Sequence, residues 1–117
     1  MFTGIVEQTG FVREVYKNSK GIKLDIFAKG DYLNLEEGSS ISINGACLTV
    51  IKSEEDCFSV EVTNETISKT TFKNIKKDQT LNLERALKLS DRLEGHIVQG
   101  HIDDVGEIIS IKNDGFS

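Results

Sequence analysis

Ile41-Ser42-Ile43-Asn44-Gly45-Ala46-Cys47-Leu48-Thr49-Val50 decides how this chain folds. Ile41 and Ile43 alternate with serines. Leu48 and Val50 alternate with Cys47 and Thr49, the period of two that sends successive side chains to opposite faces of a strand. Between the two runs stands Asn44-Gly45, a pair that adopts positive φ at low cost and closes a tight hairpin with the twist antiparallel strands require. The stretch reads as two antiparallel strands, the second over 46–51, with one apolar face for a core and one face carrying a thiol and a hydroxyl.

The same period continues on both sides. Phe11–Val15 and Ile22–Ile26 read as strands, with Ile22, Leu24 and Ile26 on one face, and Asn18–Gly21 between them reads as a turn with a glycine exit. After the hairpin, the acidic Ser53–Asp56 makes a second turn. Phe58, Val60 and Val62 then alternate with Ser59 and Glu61, as Leu81 and Leu83 do with Asn82 and Glu84. The chain has no proline, so its turns rely on Gly, Asn, Asp and Ser. Two places break the rhythm: Asp31–Glu37 fits one helical turn, and Thr63-Asn64-Glu65-Thr66 fits a cap opening another. Six short strands separated by turn signals predict an all-β antiparallel barrel, closed or nearly closed, with one or two short helical turns.

Composition narrows the function classes. A chain of 117 residues suits one domain with a real core, and 38% apolar with 28% charged residues is an ordinary balance. No window approaches the roughly 18 apolar residues of a membrane span. Glu7, Arg13, Glu14 and Lys17 leave no room for a signal-peptide core, so a cytoplasmic location is expected. A net charge of −5 argues against nucleic acid, whose phosphates need a basic face. Lys73, Lys76 and Lys77 read as a solvated turn. Six Phe, two Tyr and no Trp would furnish a thin platform for stacking bases. Cys47 and Cys57 show neither CxxC nor zinc spacing and read as reduced thiols.

A faint internal repeat appears when the sequence is shifted by 96 positions. Gly100–Ile111 then lies on Gly4–Val15, with Gly100 on Gly4 and Gly106 on Gly10. Val6/Ile102, Glu7/Asp103, Val12/Ile108 and Val15/Ile111 are conservative matches. Paired glycines six apart in the same apolar phase point to a duplicated unit, one complete and a second just begun.

Four segments carry groups capable of chemistry. Cys47 and Thr49 on one strand face can hydrogen-bond the carbonyl and imide edge of a flat heterocycle, although the pattern also fits a face that simply meets solvent. His96 and His101, each preceded by glycine, lie five apart and so on opposite faces of a strand, which argues against a two-histidine metal site. Taken singly, each fits a structural role or a general acid/base. Glu61–Thr66 with Ser68–Thr71 fits either a polar cap and loop or a rim for a sugar-like chain. Met1–Glu7 alone is an apolar strand start.

Taken together, Met1–Glu7 (MFTGIVE), Asn44–Val50 (NGACLTV), Glu65–Thr71 (ETISKTT), Asn82–Ala86 (NLERA) and Gly95–Asp103 (GHIVQGHID) resemble, in order and spacing, the motifs of the riboflavin synthase family. The resemblance implies two tandem six-stranded Greek-key barrels. Residues 1–94 would form the N-terminal lumazine-binding barrel, residues 95–117 a linker and the start of the second, and a complete member would be nearly twice as long. It implies a transferase that works without cofactor or metal. Two molecules of 6,7-dimethyl-8-ribityllumazine exchange a four-carbon unit, giving riboflavin and 5-amino-6-ribitylamino-pyrimidinedione. The complete enzyme would be a homotrimer whose sites lie between the N-barrel of one subunit and the C-barrel of its neighbour. This chain alone would bind ligand with weak or no turnover, as a homodimer.

Position by position, the resemblance places the N-barrel pocket at Cys47, Leu48 and Thr49, at Glu61, Val62, Thr63, Asn64, Glu65 and Thr66, and at Gly100, His101 and Ile102. Gly4, Ile5 and Val6 would serve the ligand of the partner barrel. Cys47, Thr49 and His101 would take the catalytic roles, Cys47 as a hydrogen-bonding or steering group and His101 as acid/base. Two rival readings stand beside the enzyme. One is a non-catalytic lumazine- or flavin-binding antenna protein of the same barrel type. The other is an OB-like adaptor or oligonucleotide-binding barrel, opposed by the acidic charge and the few aromatics.

Overall fold

Alternating β-branched and aliphatic residues produce strands that must bury one face each, and here they do so by closing on themselves. The structure is a computed structural model that describes residues 1–30, 34–88 and 100–115. Its strands are β1 (Gln8–Asn18), β2 (Gly21–Phe27), β3 (Ser40–Ile43), β4 (Ala46–Ser53), β5 (Cys57–Thr63) and β6 (Thr80–Arg85). A helix, α1 (Asn64–Lys69), and a 3-10 turn over Thr71–Asn74 connect β5 to β6. The strands form a closed barrel in the order β1-β2-β5-β4-β3-β6, every neighbour antiparallel. β3, β4 and β5 follow one another as hairpins, and β6 returns to lie beside β3, which is Greek-key connectivity.

The Asn44-Gly45 turn forms as read: Asn44 has φ 50° and Gly45 φ 83°, and β3 pairs with β4 from Ile43↔Ala46 to Ser40↔Thr49. At the β1–β2 turn, Asn18 Oδ1 accepts hydrogen bonds from the backbone N–H of Lys20 and Gly21. A side chain at Gly21 would collide with the carbonyl of Val62, so glycine is required there. The register slips once in β1, between Val12 and Glu14, and once in β4, between Val50 and Lys52. Such bulges bend and twist a strand, which helps six strands close. The barrel is filled by the inward alternates read from the sequence: Ile22, Leu24, Ile26, Ile41, Ile43, Leu48, Val50, Phe58, Val60, Val62, Leu81 and Leu83 are all buried. Phe72 and Ile75, from the connection after α1, join the same core.

Asp31, Tyr32 and Leu33 of the helical turn read at Asp31–Glu37 lie outside the described residues, as does His96. No helix among the described residues is long and apolar enough to cross a membrane. Residues 103–115 are exposed and carry no assigned strand.

Candidate functional site

The outer face of β4 is built by alternation. Ala46, Leu48 and Val50 enter the core while Cys47 and Thr49 stand exposed. Across β3, Ser42 lies opposite Cys47 and Ser40 opposite Thr49, so hydroxyls flank both. On the other side, the β4–β5 ladder runs only as far as Val50↔Val60 among the described residues. Carrying that register further sets Thr49 opposite Glu61 and Cys47 opposite Thr63, all exposed, and Leu48 opposite Val62, both buried. Strand ends beyond a ladder hold backbone N–H and C=O groups that a flat, hydrogen-bonding ligand can use. Leu48 and Val62 have only their backbone to offer on this face, because their side chains are spent on the core.

α1 opens where β5 ends. Thr63 is its N-cap, with Oγ1 accepting from the Thr66 N–H at 3.3 Å. Asn64 anchors the helix start to the β1–β2 turn: its N–H donates to the Lys20 carbonyl at 3.1 Å and its Nδ2 to the Ser19 carbonyl at 2.9 Å. Glu65 pairs with Lys69 one turn on, at 3.0 Å. The segment forms the polar cap read from the sequence.

Gly100, His101 and Ile102 form a strap laid on the amino-terminal segment and the hairpin tip. Gly100 donates to the Phe2 carbonyl at 2.8 Å, and Ile102 to the Gly45 carbonyl at 3.2 Å, two residues before Cys47. The His101 ring meets the Phe2 ring edge-on, with centroids 5.5 Å apart. Gly100 and Gly4, matched by the internal repeat, touch: a Cβ at Gly100 would collide with the Gly4 backbone. Gly4, Val6 and Ile102, with Ser42, Asn44 and Glu84, line a hollow of about 220 Å³. The structure thus gathers Gly4, Val6, Gly100 and Ile102 around one hollow at the hairpin end of the barrel. Ile5 and Val6 are exposed.

Two contributors escaped the sequence reading. Phe2 is buried and carries the His101 ring. Glu84, read as an alternate beside Leu83, is buried beneath Thr3 and Gly4. Nothing local marks it, because its partners lie about 80 residues away. Cys57 stands apart from this face. Burial pushes its thiol pKa up, and the nearby charge of Asp25 adds to the rise. Among the described residues, no group of three or more His, Cys, Asp or Glu comes together as a metal site.

A barrel with an exposed thiol–hydroxyl strand face has many uses, and comparison with known proteins separates them. The model of the lumazine binding domain matches residues 3–86. The chain belongs to the lumazine-binding domain family. Riboflavin synthase of Actinobacillus pleuropneumoniae is 38% identical over 111 residues, covering 95% of this chain and 52% of that protein. Riboflavin synthase of Schizosaccharomyces pombe is 40% identical over 116 residues, 98% of this chain and 56% of that protein. The chain thus spans about half the length of the curated relatives it matches. Among solved structures, LumP complexed with riboflavin aligns at TM-score 0.78 and 28% identity, over 89% of this chain and 56% of LumP. LumP complexed with 6,7-dimethyl-8-(1'-D-ribityl) lumazine aligns at TM-score 0.69 and 30% identity, over 74% of this chain and 49% of LumP.

Proposed function

We propose that this lumazine-binding domain is one of the two barrels of a cytoplasmic riboflavin synthase, and that it holds one 6,7-dimethyl-8-ribityllumazine, or the product riboflavin, on the outer face of β4. Residues 1–94 are the binding barrel and residues 95–117 lead into a second. The observation that carries the reading is the exposed Cys47–Thr49 pair at the point where the β4–β5 ladder stops, with α1 opening beside it at Thr63. The heterocycle bonds to backbone groups and hydroxyls of Cys47–Thr49 and Glu61–Thr63. The ribityl chain takes the polar groups at the start of α1, and the Gly100–Ile102 strap closes the rim.

The dismutation asks chiefly that two flat rings be held face to face. One donates a four-carbon unit to the other, leaving riboflavin and the pyrimidinedione. Proximity and orientation supply about 7–11 kcal/mol of barrier lowering in well-aligned systems. A positioned acid/base such as His101, taking the acidic methyl proton of the lumazine, adds about 10²–10⁴-fold. Cys47 and Thr49 orient the ring through hydrogen bonds. In the complete enzyme the second ring comes from a neighbouring subunit of a homotrimer, and Gly4–Val6 face that neighbour's ligand. Alone, this chain turns over slowly.

The fold similarity to LumP favours a second reading, a barrel that binds lumazine or flavin without converting it. Incubation with the lumazine separates the two. The synthase reading expects bound lumazine and slow accumulation of riboflavin fluorescence. Bound lumazine with no riboflavin after prolonged incubation selects the binder, and no binding contradicts both.

A further inference from the structure

Glu84 is the one buried charged residue among the described residues. A carboxylate in that position is costly unless its oxygens are fully engaged. Here both are spent on one dipeptide: Oε2 accepts from Thr3 N–H at 2.7 Å and Thr3 Oγ1 at 3.1 Å, and Oε1 from Gly4 N–H at 3.1 Å. The segment it holds carries the strap. Gly100 donates to the Phe2 carbonyl, the Gly100 backbone packs on Gly4, and the His101 ring leans on Phe2. A short chain of contacts therefore runs from Glu84 through Phe2–Gly4 to the imidazole.

We infer that Glu84 is a positioning residue for His101: its carboxylate fixes Phe2–Gly4, and that segment sets where the imidazole stands at the rim of the ligand face. The inference rests on the ligand face proposed above. A carboxylate suits the task because two acceptor oxygens serve two N–H groups side by side. A glutamine of the same shape offers one acceptor oxygen and turns an NH2 toward the other N–H.

The test is a double-mutant cycle on riboflavin affinity, read by fluorescence titration of the 117-residue chain, with the thermal midpoint followed in parallel. Glu84→Gln is expected to weaken binding about 10-fold, and His101→Ala at least as much. In the His101→Ala background, Glu84→Gln should change affinity by no more than about 2-fold, because the group it positions is gone. A purely structural role would cost the same in both backgrounds. Gly100→Ala enters the same chain of contacts from the other side, since its Cβ forces Gly100 and Gly4 apart, and it should show the same non-additivity. If Glu84→Gln fails to fold, Gly100→Ala decides. Independent, multiplying losses, or an unchanged affinity in the single variants, would overturn the inference while leaving the ligand face intact. Failure of the unsubstituted chain to saturate with riboflavin would remove the ligand face and the inference together.

Discussion

Cys47 and Cys57 show how position within a strand decides what a thiol does. Cys47 is an outward alternate of β4 and is exposed, whereas Cys57 begins β5 half-buried, its pKa raised by burial and by Asp25. Since the thiolate is the reactive form, a raised pKa leaves less of it at neutral pH and slows alkylation. Iodoacetamide at neutral pH is expected to label Cys47 well before Cys57, and riboflavin should protect Cys47 alone; peptide mass spectrometry reads both. Faster labelling at Cys57, or protection of neither, would separate Cys47 from the ligand. The facing of Cys47 was legible in the sequence, because the NG turn fixes the register and hence the face. The burial of Glu84 was not. Its neighbours Leu83 and Arg85 give no sign of burial, which comes from the amino-terminal segment about 80 residues away.

At the scale of elements, α1 joins strand geometry to the rim, and its cap is the weak point. Thr63→Ala removes the acceptor for the Thr66 N–H. Loss of such a cap costs about 0.5–2 kcal/mol. For a domain of this size that is a fall of about 4–8 °C in the thermal midpoint per kcal/mol. Riboflavin affinity should fall with it, because the residues that fray are the ones proposed to hold the ribityl chain. A variant that melts earlier yet binds unchanged would remove α1 from the site. The capping threonine was readable from Thr63–Thr66, and the strands from their period of two. The length of β1 was less so: Gln8–Asn18 extends on both sides of Phe11–Val15. Tyr16, Lys17 and Asn18 are exposed, so they carry no apolar alternation to read. The slips between Val12 and Glu14 and between Val50 and Lys52 were also hidden, since a bulge answers to barrel closure rather than to local preference.

At the scale of the molecule, the apolar groups left uncovered bear on assembly. Ile5, Val6, Ile102 and Val105 are about half exposed, and Ile108, Ile109 and Ile111 stand at 80%, 92% and 81%. Apolar groups of this number usually find a partner surface. Two copies related by a two-fold axis would let each barrel stand in for the second barrel proposed above. Sedimentation at tens of micromolar is expected to show a dimer, and a clean monomer would contradict that expectation. Gly4–Val6 and Gly100–Ile102 were candidates through the family resemblance, and the repeat paired them. The convergence of Gly4, Val6, Gly100 and Ile102 on one hollow was not legible, because it depends on the barrel bringing Gly4 beside the Asn44-Gly45 turn. The central claim is that ligand binds on the β4 face and nowhere else on the barrel. Amide chemical-shift mapping during riboflavin titration tests it most directly. Saturable shifts at Cys47–Thr49, Glu61–Thr66 and Gly100–Ile102, with Phe11 and Phe27 on the far side of the barrel unmoved, are the expected result. Shifts centred on Phe11 and Phe27, or none at millimolar ligand with the barrel folded, would contradict it.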